Sequence, residues 1–170
     1  MTTIEQRIRN VQQRIEKCCQ NCGREATEVR LLAVSKTYDS SFIEQAMLAG
    51  QYAFGENYVQ EGVEKIEQLA KLRPWLEWHF IGPLQSNKTR DVAEHFDWVH
   101  SIDRLKIAQR LNDQRPSELS PLNVCVQVNI SGESSKSGVE PEEVADLCLA
   151  IAQMPHLRLR GLMSIPEPTD

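Results

Sequence analysis

Residues 31–57 read LLAVSKTYDSSFIEQAMLAGQYAFGEN, and this stretch predicts the fold. It opens with a short apolar run, continues through a segment with helical periodicity, and ends in a second apolar run. The first run shows little polar alternation, which is typical of a strand buried in a parallel sheet. A strand, a helix and a second strand in this order form a β-α-β unit.

The same alternation continues along the rest of the chain. Six apolar runs are bounded by turn or cap residues, and they span 31–36, 52–57, 78–82, 98–103, 123–130 and 158–165. Helical patterns lie between them. Residues 41–44 fit a capping box, and Pro141 followed by two glutamates fits the first turn of a helix. An additional helix is predicted at the start of the chain from Ile4, Ile8, Val11 and Ile15 at helical spacing.

Two α/β architectures are built from such units, the open doubly wound sheet and the (β/α) TIM-type barrel. A dinucleotide-binding doubly wound sheet carries G-x-G-x-x-G after its first strand, whereas this first run ends in Ser35-Lys36-Thr37. The barrel is therefore favoured. A complete barrel takes about 250 residues. The 170 residues thus predict a single domain over 1–170, an incomplete barrel of about six β-α units that is truncated on its C-terminal side.

Composition and charge exclude several classes of protein. The chain has 19 Lys+Arg against 24 Asp+Glu, a net charge of −5, and no basic cluster that could follow a phosphate backbone, so no nucleic-acid partner is predicted. The charged N-terminal stretch does not fit a signal peptide, and no segment is apolar enough for a membrane span. Five cysteines, an odd number, are predicted to be reduced thiols. These features predict a cytoplasmic protein.

Polar residues end the predicted strands, at the edge where parallel β-α folds gather their reactive groups. They are Lys36, the Gly55-Glu56-Asn57 series, Gly82-Pro83, Asn129 and Met163-Ser164. A lysine that ends a buried strand at the mouth of a barrel is partly desolvated, which favours the free amine. A free amine is the nucleophile required for a Schiff base with an aldehyde cofactor.

Structural interpretations of these residues remain open at this level. Lys36 could extend to solvent or pair with Glu56 on the next strand. Asn57 could cap a helix beginning at Tyr58. His79 could be a core histidine whose nitrogens bond to the backbone.

A resemblance to a known family adds a more specific hypothesis. The segments LLAVSKT (31–37), FGENYVQE (54–61), WHFIGPLQSNK (78–88), SSKSG (134–138) and RGLMSI (160–165) follow one another in this order. Together they resemble the pyridoxal phosphate homeostasis proteins, from the first helix to the last residue. WHFIGPLQSNK is the most distinctive of the five.

The resemblance implies a barrel like the N-terminal domain of alanine racemase, with pyridoxal 5'-phosphate as cofactor. It implies that Lys36 forms the Schiff base, that Asn57 and Met163 lie near the pyridine ring, and that Lys136 communicates with Lys36. It also implies a continuation in family members that supplies two further strands, a Ser/Gly-rich phosphate loop and an arginine.

Three functions follow from these observations. The first is a carrier without catalytic turnover that acts in intracellular pyridoxal phosphate (vitamin B6) homeostasis, with pyridoxal-phosphate-dependent apo-enzymes as recipients. The second is an amino-acid racemase-like enzyme, which needs a second acid/base on the opposite face of the substrate. The tyrosines available for that role are Tyr38, Tyr52 and Tyr58. The third is a structural fragment with no ligand.

Overall fold

The computed structural model describes residues 3–132 and 137–166, and it alternates strands with helices. The strands are β1 (Ala33–Val34), β2 (Ala53–Glu56), β3 (Glu77–Phe80), β4 (Trp98–Ile102), β5 (Leu122–Gln127) and β6 (Leu157–Met163). The helices are α1 (Ile4–Asn21), α2 (Ser40–Leu48), α3 (Val59–Gln68), α4 (Thr89–His95), α5 (Leu105–Gln114) and α6 (Val144–Ala152). Short 3-10 turns occupy Ala26–Glu28, Ala70–Leu72, Ser86–Lys88 and Pro141–Glu143. Each of the six predicted apolar runs overlaps one strand.

The six strands form one parallel sheet in the order β1-β2-β3-β4-β5-β6. A doubly wound sheet reverses its strand order at a switch point, and this sheet does not. Because crossovers between parallel strands are right-handed, a sequential order places the connecting helices on the same side. This is the arrangement of a (β/α) barrel. Within the described residues β1 and β6 are the edges of an unclosed sheet, which confirms the predicted α/β class and the incomplete barrel.

One face of the sheet forms the hydrophobic core with the helices. Trp78, Phe80 and Val99 on this face are fully buried against residues such as Phe96 and Leu111 that follow or lie in the helices. The strand register places another row of residues on the opposite face: Val34, Gly55, His79, Trp98, Asn123 and Arg158. That opposite face therefore carries histidine, asparagine and arginine among its side chains, whereas the helix-covered face is mainly apolar.

The helix starts differ in part from the sequence prediction. The capping box predicted at residues 41–44 is wrong, because the N-cap of α2 is Asp39, two residues before Ser41. The Asp39 carboxylate accepts a hydrogen bond from the Ser41 backbone N at 2.9 Å. Pro141 does lie in a first helical turn, a 3-10 turn that leads directly into α6.

Within residues 3–132 and 137–166, the model has no helix with the length and apolar character needed to cross a membrane. All five cysteines are free thiols, as the odd number predicts.

Candidate cofactor-binding site

Lys36 lies in a tight turn directly after β1. The Ser35 backbone N donates to the Gly55 carbonyl at 3.0 Å and continues the pairing of β1 with β2. The Tyr38 backbone N then donates to the Ser35 carbonyl at 3.1 Å, which closes a four-residue turn with Lys36 and Thr37 at its centre. The Lys36 side chain is exposed and makes no hydrogen bond or ion pair with another described residue. The partial desolvation expected from the sequence is therefore not provided by the described residues.

Thr37 gives this turn an unusual backbone. Its φ is 66°, and it is the one non-glycine residue with positive φ in the part of the chain that the structure describes. A β-branched residue in this region is strained by about 1–3 kcal/mol, and such strain persists only where the surroundings enforce it. The Thr37 backbone N donates to Glu61 Oε1 at 2.5 Å, which is one contact that enforces it.

A polar cluster lies beneath the turn, formed by the buried Ser35, Glu56 and Lys65 and the partly exposed Glu61, and we call it the Lys65 cluster. The Lys65 ammonium donates to the Ser35 carbonyl at 2.7 Å, to Glu56 Oε1 at 2.8 Å and to Glu61 Oε1 at 2.6 Å. The Ser35 hydroxyl donates to Glu56 Oε1 at 2.6 Å. The interpretation that Lys36 pairs with Glu56 is therefore wrong, because Glu56 faces α3 and pairs with Lys65.

The two carboxyl groups of the Lys65 cluster have opposite electrostatic environments. Burial raises the pKa of Glu56 above its usual value, although Lys65 and Ser35 both donate to it. Burial also opposes ionisation of Glu61. There the Lys65 ammonium and the Thr37 amide outweigh it, so the pKa of Glu61 lies below its usual value. Glu61 is thus the carboxylate that holds its charge next to the turn.

Asn57 lies at the carboxyl end of β2, on the strand adjacent to β1. It is half-buried, and its backbone packs directly against Gly82, where a Cβ would meet the Asn57 carbonyl oxygen. The N-cap of α3 is Tyr58, with no side-chain capping bond, so the interpretation of Asn57 as a helix cap is wrong. The fold therefore brings Asn57 and Lys36 to neighbouring positions along one edge of the sheet.

Met163 is the last residue of β6, on the far side of the sheet from β1. It pairs with Gln127 of β5 and is half-buried. A cavity of about 150 Å³ lies at this end, lined in part by Ile81, Gln127 and Ile165. Met163 thus lies at the carboxyl edge but not beside Lys36 in strand order. Lys136, also predicted to contribute, lies outside the described residues.

A second polar group lies on the sheet face that the helices leave uncovered. His79 is buried, with Nε2 2.7 Å from Glu77 Oε1 and Nδ1 2.8 Å from His100 Nε2, and its ring stacks on Trp98. The interpretation that backbone groups satisfy His79 is wrong, since both nitrogens bond to side chains. The hydrogen bond with His79 lowers the pKa of Glu77 to about 2, and burial lowers the pKa of His100 to about 4.

Within the described residues, no group of His, Cys, Asp and Glu could hold a metal ion.

The low pKa of His100 predicts a loss of stability in mild acid. In the unfolded chain His100 takes up a proton near pH 6.5, whereas in the folded chain it stays neutral until about pH 4. The unfolded state binds more protons between these values, so stability present above pH 6.5 is lost as the pH falls towards 4. Because the ring is partly exposed, we expect the free energy of unfolding to fall by roughly 1–2 kcal/mol.

Urea unfolding at pH 7 and pH 5 measures this loss. His100→Gln keeps an amide near the position of Nε2 but cannot titrate, so its stability should change less between the two pH values. An equal loss in wild type and His100→Gln would show that another group is responsible. Glu77 acts outside this window, because the stability from its low pKa is lost only as the pH falls from 4.5 towards 2.

The comparisons with known proteins identify the family. The family model for the alanine racemase N-terminal domain matches residues 6–170. A pyridoxal phosphate homeostasis protein of Pasteurella multocida is 60% identical over 168 residues, which cover 99% of this chain and 72% of the relative. The protein of the same name from Escherichia coli K12 is 59% identical over 169 residues, covering 99% of this chain and 72% of its own length. The chain belongs to the pyridoxal phosphate homeostasis protein family.

Solved structures agree with this membership. PipY of Synechococcus elongatus, solved with pyridoxal phosphate bound, superposes with a TM-score of 0.76 at 36% identity, covering 89% of this chain and 70% of PipY. Alanine racemase of Corynebacterium glutamicum shares the fold, with a TM-score of 0.59 at 19% identity over 80% of this chain and 39% of the racemase. The family and the alanine-racemase-like barrel predicted from the sequence are both confirmed.

The Lys65 cluster was missed by the sequence reasoning, although it contacts both neighbours of Lys36. One signal was present, since Glu61 and Lys65 are four residues apart on one helix. That spacing usually indicates an exposed ion pair. Lys65 is only 5% exposed because α3 packs it against β2.

Proposed function

We propose that this chain binds pyridoxal 5'-phosphate covalently through Lys36 and acts in intracellular pyridoxal phosphate (vitamin B6) homeostasis without catalytic turnover. The observation that carries the proposal is the amine of Lys36, which no described residue pairs with and which a fixed turn presents at the carboxyl end of the first strand. Support comes from relatives named for pyridoxal phosphate homeostasis and from PipY, which was solved with the cofactor bound. Cytoplasmic apo-enzymes that need the cofactor are the proposed recipients.

The attachment chemistry fits the residues present. An ε-amine adds to the cofactor's aldehyde carbon and water leaves, so a carbon–nitrogen double bond replaces the carbon–oxygen double bond. The attacking amine must be unprotonated and free of competing partners, and no described residue forms an ion pair with Lys36. Asn57 on the adjacent strand and Met163 at the end of β6 are proposed to lie near the ring. Communication between Lys136 and Lys36 stays a prediction.

The position of Tyr52 supports the proposed absence of turnover. A racemase needs a second acid/base on the face of the substrate opposite its lysine. Tyr52 precedes β2 and therefore lies at the amino end of the sheet, away from Lys36. The Tyr38 ring packs against Phe42, with ring centroids 5.5 Å apart. Tyr58 follows β2, the strand beside β1, and lies on the same side of the sheet as Lys36, so the proposal requires that Tyr58 does not act as this acid/base. An assay for exchange of the α-proton of alanine in deuterated water should detect none.

Borohydride trapping tests the attachment site. The purified chain is incubated with pyridoxal phosphate, freed of unbound cofactor, reduced with borohydride and digested for peptide mapping. The label is expected on the peptide that contains Lys36. Exposed lysines such as Lys17, Lys71 and Lys106 provide an internal control for nonspecific reaction. A label spread over these lysines, with no enrichment at Lys36, would overturn the proposal.

A further inference from the structure

The Lys65 cluster contacts the chain on both sides of Lys36. Before Lys36, the Ser35 carbonyl accepts from Lys65 at 2.7 Å and the Ser35 hydroxyl donates to Glu56 at 2.6 Å. After Lys36, the Thr37 amide donates to Glu61 at 2.5 Å. Hydrogen bonds with the Lys65 cluster thus fix both residues that flank the proposed attachment lysine, while Lys36 itself remains exposed.

The cluster draws its members from separate elements. Glu61 and Lys65 lie on α3, Glu56 ends β2, and Ser35 follows β1. The three donor positions of the Lys65 ammonium are all used, by Ser35, Glu56 and Glu61. Glu56 is 0% exposed and Lys65 is 5% exposed, so the contacts exchange little with water. The turn is therefore tied to β2 and to α3, the helix that follows β2.

Stability alone does not explain a charged cluster at this place. Buried ion pairs are often no more stabilising than apolar side chains of similar volume, because desolvation offsets the attraction. An apolar residue at position 65 would continue the buried face that Ile66 and Leu69 form near this helix end. The polar residues differ from apolar ones in that they form directional hydrogen bonds. These bonds fix the backbone atoms of Ser35 and Thr37, which an apolar side chain could not do.

We propose that Lys65, Glu61 and Glu56 are positioning residues for Lys36: they fix the strained turn so that its amine is presented at one place on the carboxyl edge of the sheet. This inference rests on the proposed attachment of pyridoxal phosphate to Lys36. They act through their hydrogen bonds to Ser35 and Thr37. Their role is to hold Thr37 at positive φ, and with it the direction in which Lys36 leaves the backbone.

A loosened turn should slow attachment. Reaction requires the amine to reach within about 3–3.5 Å of the aldehyde carbon, and a misplacement of about 1 Å can slow a reaction about a hundredfold. We therefore expect Glu61→Ala to lower the rate of borohydride-trapped labelling at Lys36 by about ten- to a hundredfold. Glu61 is the best site for the test because its side chain is 27% exposed, so its truncation disturbs the core less than changes at Glu56 or Lys65.

Conservative variants separate positioning from general damage. Glu61→Gln keeps the length and an oxygen that can accept from Thr37, so it should restore most of the labelling rate. Glu61→Asp keeps the charge but falls short of Thr37, so it should label more slowly than Glu61→Gln. Glu64→Ala is the matched control, because it removes an exposed glutamate of the same helix whose hydrogen-bond partner is the exposed Gln60. It should label like wild type.

Hydrogen exchange gives a readout that needs no cofactor. Glu61→Ala should exchange the amides of Thr37 and Tyr38 faster than wild type, and Glu61→Gln should not. If Glu61→Ala does not fold, the labelling rates of Glu61→Gln and Glu61→Asp test the positioning role instead. Slower labelling in Glu61→Asp than in Glu61→Gln supports it.

The outcomes distinguish the two proposals. Labelling of Lys36 at the wild-type rate in a folded Glu61→Ala or Glu61→Asp chain would overturn the positioning role and leave the proposed function intact. Failure of wild type to label at Lys36 would overturn the proposed function, and positioning for that function would fall with it. Slow labelling in Glu61→Ala with recovery in Glu61→Gln supports both.

Discussion

Replacing Lys36 with alanine is expected to remove the covalent attachment of pyridoxal phosphate at this turn. Borohydride-stable label on the peptide containing residue 36 should disappear, and the absorbance band of the bound cofactor should decrease at least about tenfold, because the Schiff base needs a primary amine at that place. Removal of an exposed side chain without hydrogen-bond partners among the described residues should leave stability within about 0.5 kcal/mol of wild type.

Two further variants show which property of Lys36 matters. Lys36→Arg keeps the positive charge but has no amine that forms a Schiff base, so it should lose the band while retaining any electrostatic attraction for the phosphate. Lys88→Ala removes a second lysine from the same edge of the sheet, beside Asn57 and Gln85, and should keep the band. An unchanged band in Lys36→Ala, or a lost band in Lys88→Ala, would contradict the assignment of Lys36.

The strand pattern was predictable because each strand is a short apolar run between turn residues. β1 shows the limit of this reasoning. The sequence predicts a strand over 31–36, whereas the strand is Ala33–Val34, because the chain turns at Ser35 and only these two residues are in register with β2. The apolar run marks burial, but its end is set by the hydrogen bonds of the turn, which apolar periodicity does not encode.

The surroundings of Lys36 were harder to predict than Lys36 itself. Glu56 follows Phe54 by two residues, so strand alternation places both on the face that packs against the helices. The alternation of side chains along β2 could therefore have shown that Glu56 does not face Lys36. The close approach of α3 could not be predicted from spacing. It depends on Gly62, where a Cβ would lie 2.6 Å from Phe96 Cζ and 3.3 Å from Glu56 Cβ.

The largest loss of stability among the substitutions considered is expected for Gly82→Ala. A Cβ at Gly82 would lie 2.1 Å from the Asn57 carbonyl oxygen and 2.8 Å from its carbonyl carbon, far inside van der Waals contact. These are backbone atoms, so no rotamer change relieves the overlap. The neighbouring backbone is also fixed, because the Ile81 amide donates to the Glu56 carbonyl at 2.9 Å and Ser101 donates to the Gly82 carbonyl at 2.6 Å.

The strands must therefore separate at the edge where Asn57 lies. Overpacking in a tight interior costs about 1–3 kcal/mol and sometimes more, and the backbone overlap at Gly82 places it at or above about 3 kcal/mol. For a chain of 170 residues this lowers the melting temperature by roughly 6–12 °C. Thermal and urea unfolding of the variant measure the effect.

Gly55→Ala is the matched control, since Gly55 lies on the adjacent strand β2, where it pairs with His79 of β3. Its Cβ would lie 3.0 Å from Ile81 Cδ1, the end of a flexible side chain that can rotate away. The expected loss there is about 1 kcal/mol. Equal stability of the two variants would show that the contact between Gly82 and Asn57 is not tight. A large loss confined to Gly82→Ala would show that the close approach of two backbones, and not the loss of a glycine as such, limits which residues fit at the sheet edge where Lys36 lies.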